Sequence, residues 1–282
     1  ELPHRKHKNN GRKEKLIVVF FPTLTSPYYV LLLQGIESVA NEKGYGVFIC
    51  NTQRDARLEE RYLRMIGNIE PQGIIYTCNP NPDFQKRVEE LARRIPLVII
   101  SNKEKTITVD AINQDNTMVG RLMARHLLDL GHRDVAFITP PLTRRHWQRS
   151  RRIDGFVKEY EKEGLGGHVL IKAADESIDR RMPRMDSEYS MGYQLTMELL
   201  KEQRKFTAIA GQNDMMAIGA LDALHEAKIH VPRDVSVIGC DNIFYSSIRR
   251  ISLTTIDHFV ALKGQDACDI IIRKIDTRER AL

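Results

Sequence analysis

Three stretches of the chain carry side chains that could grip a hydroxyl-rich small molecule. Thr25-Ser26-Pro27-Tyr28-Tyr29 gathers hydroxyls, a helix-start signal and two aromatic rings into one short segment. Hydroxyls and the unpaired N–H groups of a helix start suit a polyol, and an aromatic face suits the C–H face of a sugar ring. The alternative is that Ser26 only caps its helix while Tyr28 and Tyr29 only pack. Asn213-Asp214 and Asp241-Asn242 each follow an apolar run. A carboxylate or amide there can make paired hydrogen bonds to vicinal hydroxyls, although N-cap preference alone would account for Asp214. The third stretch, Arg144 to Arg152, places five arginines around the chain's one tryptophan, Trp147. Guanidinium forks bind carboxylate, phosphate or hydroxyl groups, and an indole can stack on a ring. A solvated helix face explains most of these arginines equally well, whereas Arg152, one turn ahead of Gly155-Phe156, reads as functional.

Other chemistry finds little support. No GxGxxG follows the first apolar run, no P-loop occurs, and no GxSxG, HxxxH or HExxH spacing is present. The four cysteines, Cys50, Cys78, Cys240 and Cys268, are widely spaced and form no CxxC pair. Three sit at the ends of apolar runs, where a thiol behaves as a small hydrophobe. Neither enzymatic activity, nor a cofactor, nor a metal site is expected.

Positioning these groups requires strands that end beside them. Short apolar runs alternate with amphipathic helix-length segments from residue 16 onward, the signature of βαβ units and parallel sheets. Strands are expected at Leu16–Phe21, Val47–Cys50, Gly73–Thr77 and Leu97–Ser101, with helices from Pro27 to Gly44 and over Leu58–Ile69 and Phe84–Arg93. A second series follows Asp110. It has helices Asp115–Leu130, Arg152–Glu163, Ser187–Gln203 and Met215–Ala227, and strands Val135–Thr139, Val169–Lys172, Ala208–Ala210 and Val235–Gly239. Two α/β lobes with a ligand cleft between them are the economical architecture. Ligands of open parallel sheets sit outside the strands' C-terminal ends, which puts Asp241 at a wet edge.

At 282 residues and 42% hydrophobic content, the chain can supply two cores. No apolar stretch approaches a membrane span and the N-terminus is polar, so a cytoplasmic protein is expected. The net charge is +6, with much of the excess in Arg5, Lys6, Lys8, Arg12, Lys13 and Lys15 and in the Arg144–Arg152 run. A basic tail can track phosphates or be a solvated linker.

At these motifs the chain resembles the lactose/galactose-repressor (LacI/GalR) family over nearly its whole length. The resemblance rests on Phe21-Pro22 with Ser26-Pro27-Tyr28-Tyr29, Gly73-Ile74-Ile75, Pro96–Ile100, His126–Ile138 and Arg152-Ile153-Asp154-Gly155-Phe156. It continues in Asn213–Ala220, Val231–Asp241 and Leu253-Thr254-Thr255-Ile256, in order and at matching spacing. It implies a periplasmic-binding-protein type I fold, with an N-terminal lobe of 16–111 plus 258–282 and a C-terminal lobe of 112–257. Residues 1–15 would be the end of a basic linker that follows a helix-turn-helix headpiece, itself missing ahead of the first strand. The resemblance further implies a homodimer and operator DNA contacted through that headpiece; it fails at the C-terminus, where the family adds one or two short strands after the last helix and this sequence ends at Ala281-Leu282.

By matched position, Tyr29 would wall the ligand, Arg152 and Asp241 would grip its hydroxyls, and Asn213 would bond beside them. Ser26, Tyr28, Ser101, Trp147 and His258 complete the expected site. Four places depart from the common pattern. Ser101 stands where an aspartate is usual, Asn102 where an arginine is frequent, His258 where a glutamine is frequent, and Cys240-Asp241-Asn242 replaces aromatic-Asp-Asp. With Ser101 removing a charged acceptor and arginines in surplus, a phosphorylated or acidic sugar becomes an option beside a neutral one. The expected function is the effector-sensing and dimerisation core of a sugar-responsive transcriptional regulator. The rival readings are a sugar-binding protein of a transporter, which shares the fold, and an α/β enzyme.

Overall fold

The computed structural model describes residues 15–100, 109–142, 147–175 and 187–281. The chain forms two compact units: residues up to Pro22 with Gln34–Ile112 and the chain from Gly264 onward, and Thr23–Leu33 with Asn113–Lys263. Ser101, Asn102, Arg144, Arg145, His146 and the N-terminal tail up to residue 14 lie outside the described residues.

The first unit is built on a parallel sheet of β1 (Leu16–Phe21), β2 (Gly46–Asn51), β3 (Gly73–Tyr76), β4 (Leu97–Ile100) and β5 (Asp110–Ile112), in the order β2-β1-β3-β4-β5. β1 lies at its interior, Ile17 pairing with both Val47 and Gly73. Its last five residues are buried, as a strand covered on both faces requires. Helix α1 (Pro27–Glu42) starts at the proline after Ser26 and stops ahead of Gly44, whose φ of +75° is the left-handed value glycine adopts freely. Helices α2 (Ala56–Ile69) and α3 (Gln85–Arg94) cover the sheet through Leu63, Ile66 and Val88 against Val18, Phe20, Ile74 and Ile99. Each such side chain contributes about 1.5–3 kcal/mol on burial.

The second unit repeats the plan with β6 (Val135–Thr139), β7 (Val169–Ala173), β8 (Ala208–Gly211), β9 (Ser236–Cys240) and β10 (Thr254–Ile256), in the order β10-β9-β8-β6-β7 and again parallel. Its helices are α4 (Asn116–Asp129), α5 (Trp147–Lys162), α6 (Ser187–Lys201) and α7 (Asp214–Glu226). α8 (Val260–Ala281) closes the described chain. The glycines expected to stop α4 and α5 do so, Gly131 at φ +89° and Gly164 at φ +74°. Glycines also let helices touch backbone to backbone. A Cβ on Gly120 would fall on the carbonyl oxygen of Arg152, and one on Gly155 on that of Thr117, so α4 and α5 cross through paired gaps. Gly192 and Gly219 do the same for α6 and α7, against Met216 and Tyr189.

Three expectations need adjustment. α5 begins at Trp147, not Arg152, because the basic run continues the helix and its polar side chains carry no apolar period to reveal it. β9 runs one residue further than expected, to Cys240. β5 and β10 were not expected as strands: three residues at a sheet edge are too few for periodicity to register.

Candidate functional site

Within the second unit, the C-terminal ends of β8, β9 and β10 and the starts of α4 and α7 bring polar groups together around Arg152. This arginine is 5% exposed. One terminal guanidinium nitrogen donates to Asn116 Oδ1 at 2.9 Å, the other to the carbonyl of Gln212. The third N–H group, Nε, is buried with no hydrogen-bond partner among the described residues. The backbone contact at Gly120 sets the depth at which Arg152 reaches Asn116, the first residue of α4, whose N-cap Asp115 accepts from Met118 N–H at 2.9 Å.

At the end of β9 the chain turns through two non-glycine residues at positive φ, Asp241 (+117°) and Asn242 (+51°). Such conformations cost about 1–3 kcal/mol each and persist only where surrounding bonds over-determine them. Here Asp241 N–H donates to Ile256 O at 3.0 Å, and the Asn242 amide donates to Asp257 at 3.0 Å. The turn sends the Asp241 carboxylate to His258, Oδ1 lying 2.8 Å from Nε2, and Lys263 Nζ contacts the other ring nitrogen. With Lys263 protonated, Nε2 carries the imidazole proton and Nδ1 accepts from the ammonium. Burial lowers the pKa of His258 against the pull of Asp241, and lowers that of Lys263 to about 8. Asp241 is only 7% exposed, so it does not sit at the wet edge expected of it.

Tyr28 borders the same groups. Its ring lies 5.9 Å from that of His258, centroid to centroid, and edge-on to Tyr29 at 5.0 Å. Burial pushes its hydroxyl pKa well up, and the charges of Asp241 and Arg152 also act on it. The residues expected from the sequence at Tyr28, Arg152, Asp241 and His258 are therefore assembled in one place. Asn213 is nearby but committed: its Oδ1 caps α7 by accepting from Met216 N–H at 3.0 Å. Capping by Asp214 is thus corrected, because the residue before it takes that task. Asp214, wholly buried, instead accepts from Ile243 N–H at 2.9 Å and from the Thr255 hydroxyl at 2.5 Å. Burial, then repulsion from Asp241, raises its pKa to about 6. Ser26 contributes the turn into α1, its carbonyl accepting from Tyr29 N–H at 3.0 Å. Trp147 opens α5, its side chain lying outside the described residues, as does Ser101 altogether.

Asn116, Gln212 and Lys263 were missed from the sequence. Nothing local marks them: Asn116 reads as a helix start and Lys263 as a solvated residue in the first turn of α8. Nor did cysteine spacing suggest that Cys240, Asp241 and His258 would bring ligand-type atoms within 4.8 Å of one another. No described helix is long and apolar enough to cross a membrane.

Residues 124–282 match the family described as a periplasmic binding protein-like domain. The chain is 31% identical to the HTH-type transcriptional repressor PurR of Glaesserella parasuis over 93% of its own length and 73% of the relative's. It is 28% identical to the ribose operon repressor of Escherichia coli, over 89% of this chain and 72% of that one. A solved LacI family transcriptional regulator from Enterococcus faecium, with bound ribose, superposes with a TM-score of 0.79 at 26% identity, covering 94% of this chain and 92% of its own. Fold, motif order and these similarities agree: the chain belongs to the LacI family of transcriptional regulators, as its periplasmic-binding-protein-like effector-binding core.

Proposed function

We propose that this chain senses a sugar or sugar derivative for a homodimeric transcriptional regulator, without catalysing a reaction, and that Arg152, Asp241, His258 and Tyr28 hold the effector. The observation that carries this reading is the buried Nε of Arg152, which has no partner among the described residues. Buried N–H groups without an acceptor cost about 1–3 kcal/mol, and a ligand oxygen would remove that cost. Around it stand a carboxylate to accept from hydroxyls, an imidazole and an aromatic ring, the mix of a few placed polar groups and apolar walls that small-molecule sites use. The relatives favour regulation over transport, since those named above are repressors. A ribose-bound relative supports a sugar over other hydroxylated molecules. Operator DNA would be read by a helix-turn-helix headpiece, as the family resemblance implies.

A thermal-shift screen of neutral sugars including ribose, sugar phosphates and sugar acids tests this. A ligand that binds only the folded protein stabilises it by about 2.7 kcal/mol at one hundred times its dissociation constant. One class should raise the melting temperature of the wild type and fail to do so for Arg152→Met. A screen without a hit, or a hit indifferent to Arg152, would remove the assignment.

A further inference from the structure

We infer that Cys240, Asp241 and His258 form a binding site for one divalent transition-metal ion of zinc-like preference. Their thiol, carboxylate and imidazole donor atoms lie within 4.8 Å of one another. All three side chains are nearly buried: Cys240 is wholly inaccessible, and the side chains of His258 and Asp241 are 7% and 9% exposed. Thiolate, imidazole and carboxylate are the three donors zinc takes, and three protein ligands leave a fourth position for water or another oxygen. The backbone holds the donors in place. β9 pairs with β10 so that Ile256 faces Cys240, the Asp241 amide is tied to Ile256, and the positive-φ turn swings the Asp241 carboxylate onto the His258 ring.

Binding breaks the Cys240 S–H bond and frees His258 Nε2, whose proton moves to Nδ1 and is accepted there by Lys263 once that ammonium has given up a proton; two protons go to solvent, and a metal–sulfur and a metal–nitrogen bond form. Asp241 and the thiolate then offset the ion's two positive charges, with Asp214 and Arg152 as the neighbouring charges. The competing arrangement is a metal-free network in which Cys240 and His258 both bond to the Asp241 carboxylate.

Titration of the reduced, metal-stripped chain with Co²⁺, in the absence of any sugar, separates the two. We expect one equivalent to bind with thiolate-to-cobalt charge-transfer absorption and the intense visible bands of a four-coordinate ion, both bleached by Zn²⁺. Cys240→Ser should abolish the charge-transfer band while Cys78→Ser retains it. His258→Gln, which removes the imidazole donor, should weaken binding by at least about 10–100-fold. A folded wild type without the band, or a band unchanged in Cys240→Ser, overturns the site. Should Cys240→Ser fail to fold, wild-type affinity in His258→Gln overturns it equally. The readout needs no effector, so the site stands or falls separately from the proposed sugar sensing.

Discussion

Burial of charge, more than exposure of it, governs the side chains around Arg152. Asp214 is the simplest case: its carboxyl pKa rises from 3.8 to about 6 because folding strips its water. The native state therefore holds a proton that the unfolded chain has already released between those two values, and the stability this supplies is lost as pH rises from about 4 to about 6. Asp214→Asn should lack that loss. Its unfolding free energy relative to wild type should improve by about 2–3 kcal/mol across the window, measured by urea unfolding at each pH, and a constant difference would contradict the account. Asp241 poses a different problem. Removing its carboxylate leaves His258 Nε2 without its acceptor, so Asp241→Ala should cost about 1–3 kcal/mol of stability as well as effector affinity. An unaltered melting temperature would place the side chain back at a solvated edge.

The elements that carry these side chains are spaced by glycine. Helices α4 and α5 approach until the backbone of one occupies the Cβ position of Gly120 or Gly155 in the other. Arg152 rides on that contact, its own carbonyl against Gly120 and its guanidinium on Asn116, about one turn earlier in α4. Gly120→Ala must therefore push α5 outward, and with backbone on the far side no side chain can swing away. We expect a loss of about 2 kcal/mol or more, the upper part of the overpacking range, together with weaker binding of whatever effector the screen finds. Gly167→Ala, where nothing lies within 4 Å of the added methyl, should change neither. Equal stability of the two variants would mean that the helices are not in register as described.

For the whole molecule, the expected homodimer is checked by light scattering on the isolated core at tens of micromolar, where a strict monomer would count against it. A two-fold operator calls for a two-fold protein, so the test bears directly on how the regulator would reach DNA. On the proposed reading, base readout belongs to a helix-turn-helix headpiece. The core should accordingly bind operator and random DNA alike, through its basic tail alone, with an affinity that collapses as salt rises. Sequence-specific retention at physiological salt would assign recognition to the core.

Much of this was legible in the residues themselves. Runs such as Leu16–Phe21 and Val135–Ile138 are apolar throughout because their strands are covered on both faces, and Pro27, Gly44, Gly131 and Gly164 mark helix ends through their own backbone preferences. Tyr28, Arg152, Asp241 and His258 could be singled out because their types or their places in a family pattern are unusual. What the chain order could not convey is which distant groups meet. Asp214 looked like a cap, yet Asn213 caps and Asp214 crosses to Ile243 and Thr255. Cys240 and Asp241 meet His258 only because β9 and β10 lie side by side. Local preferences act over one turn or one strand and are written in neighbouring residues. The electrostatics of a buried cluster depend on distances between segments far apart in the chain, and those distances exist only once the sheet has formed.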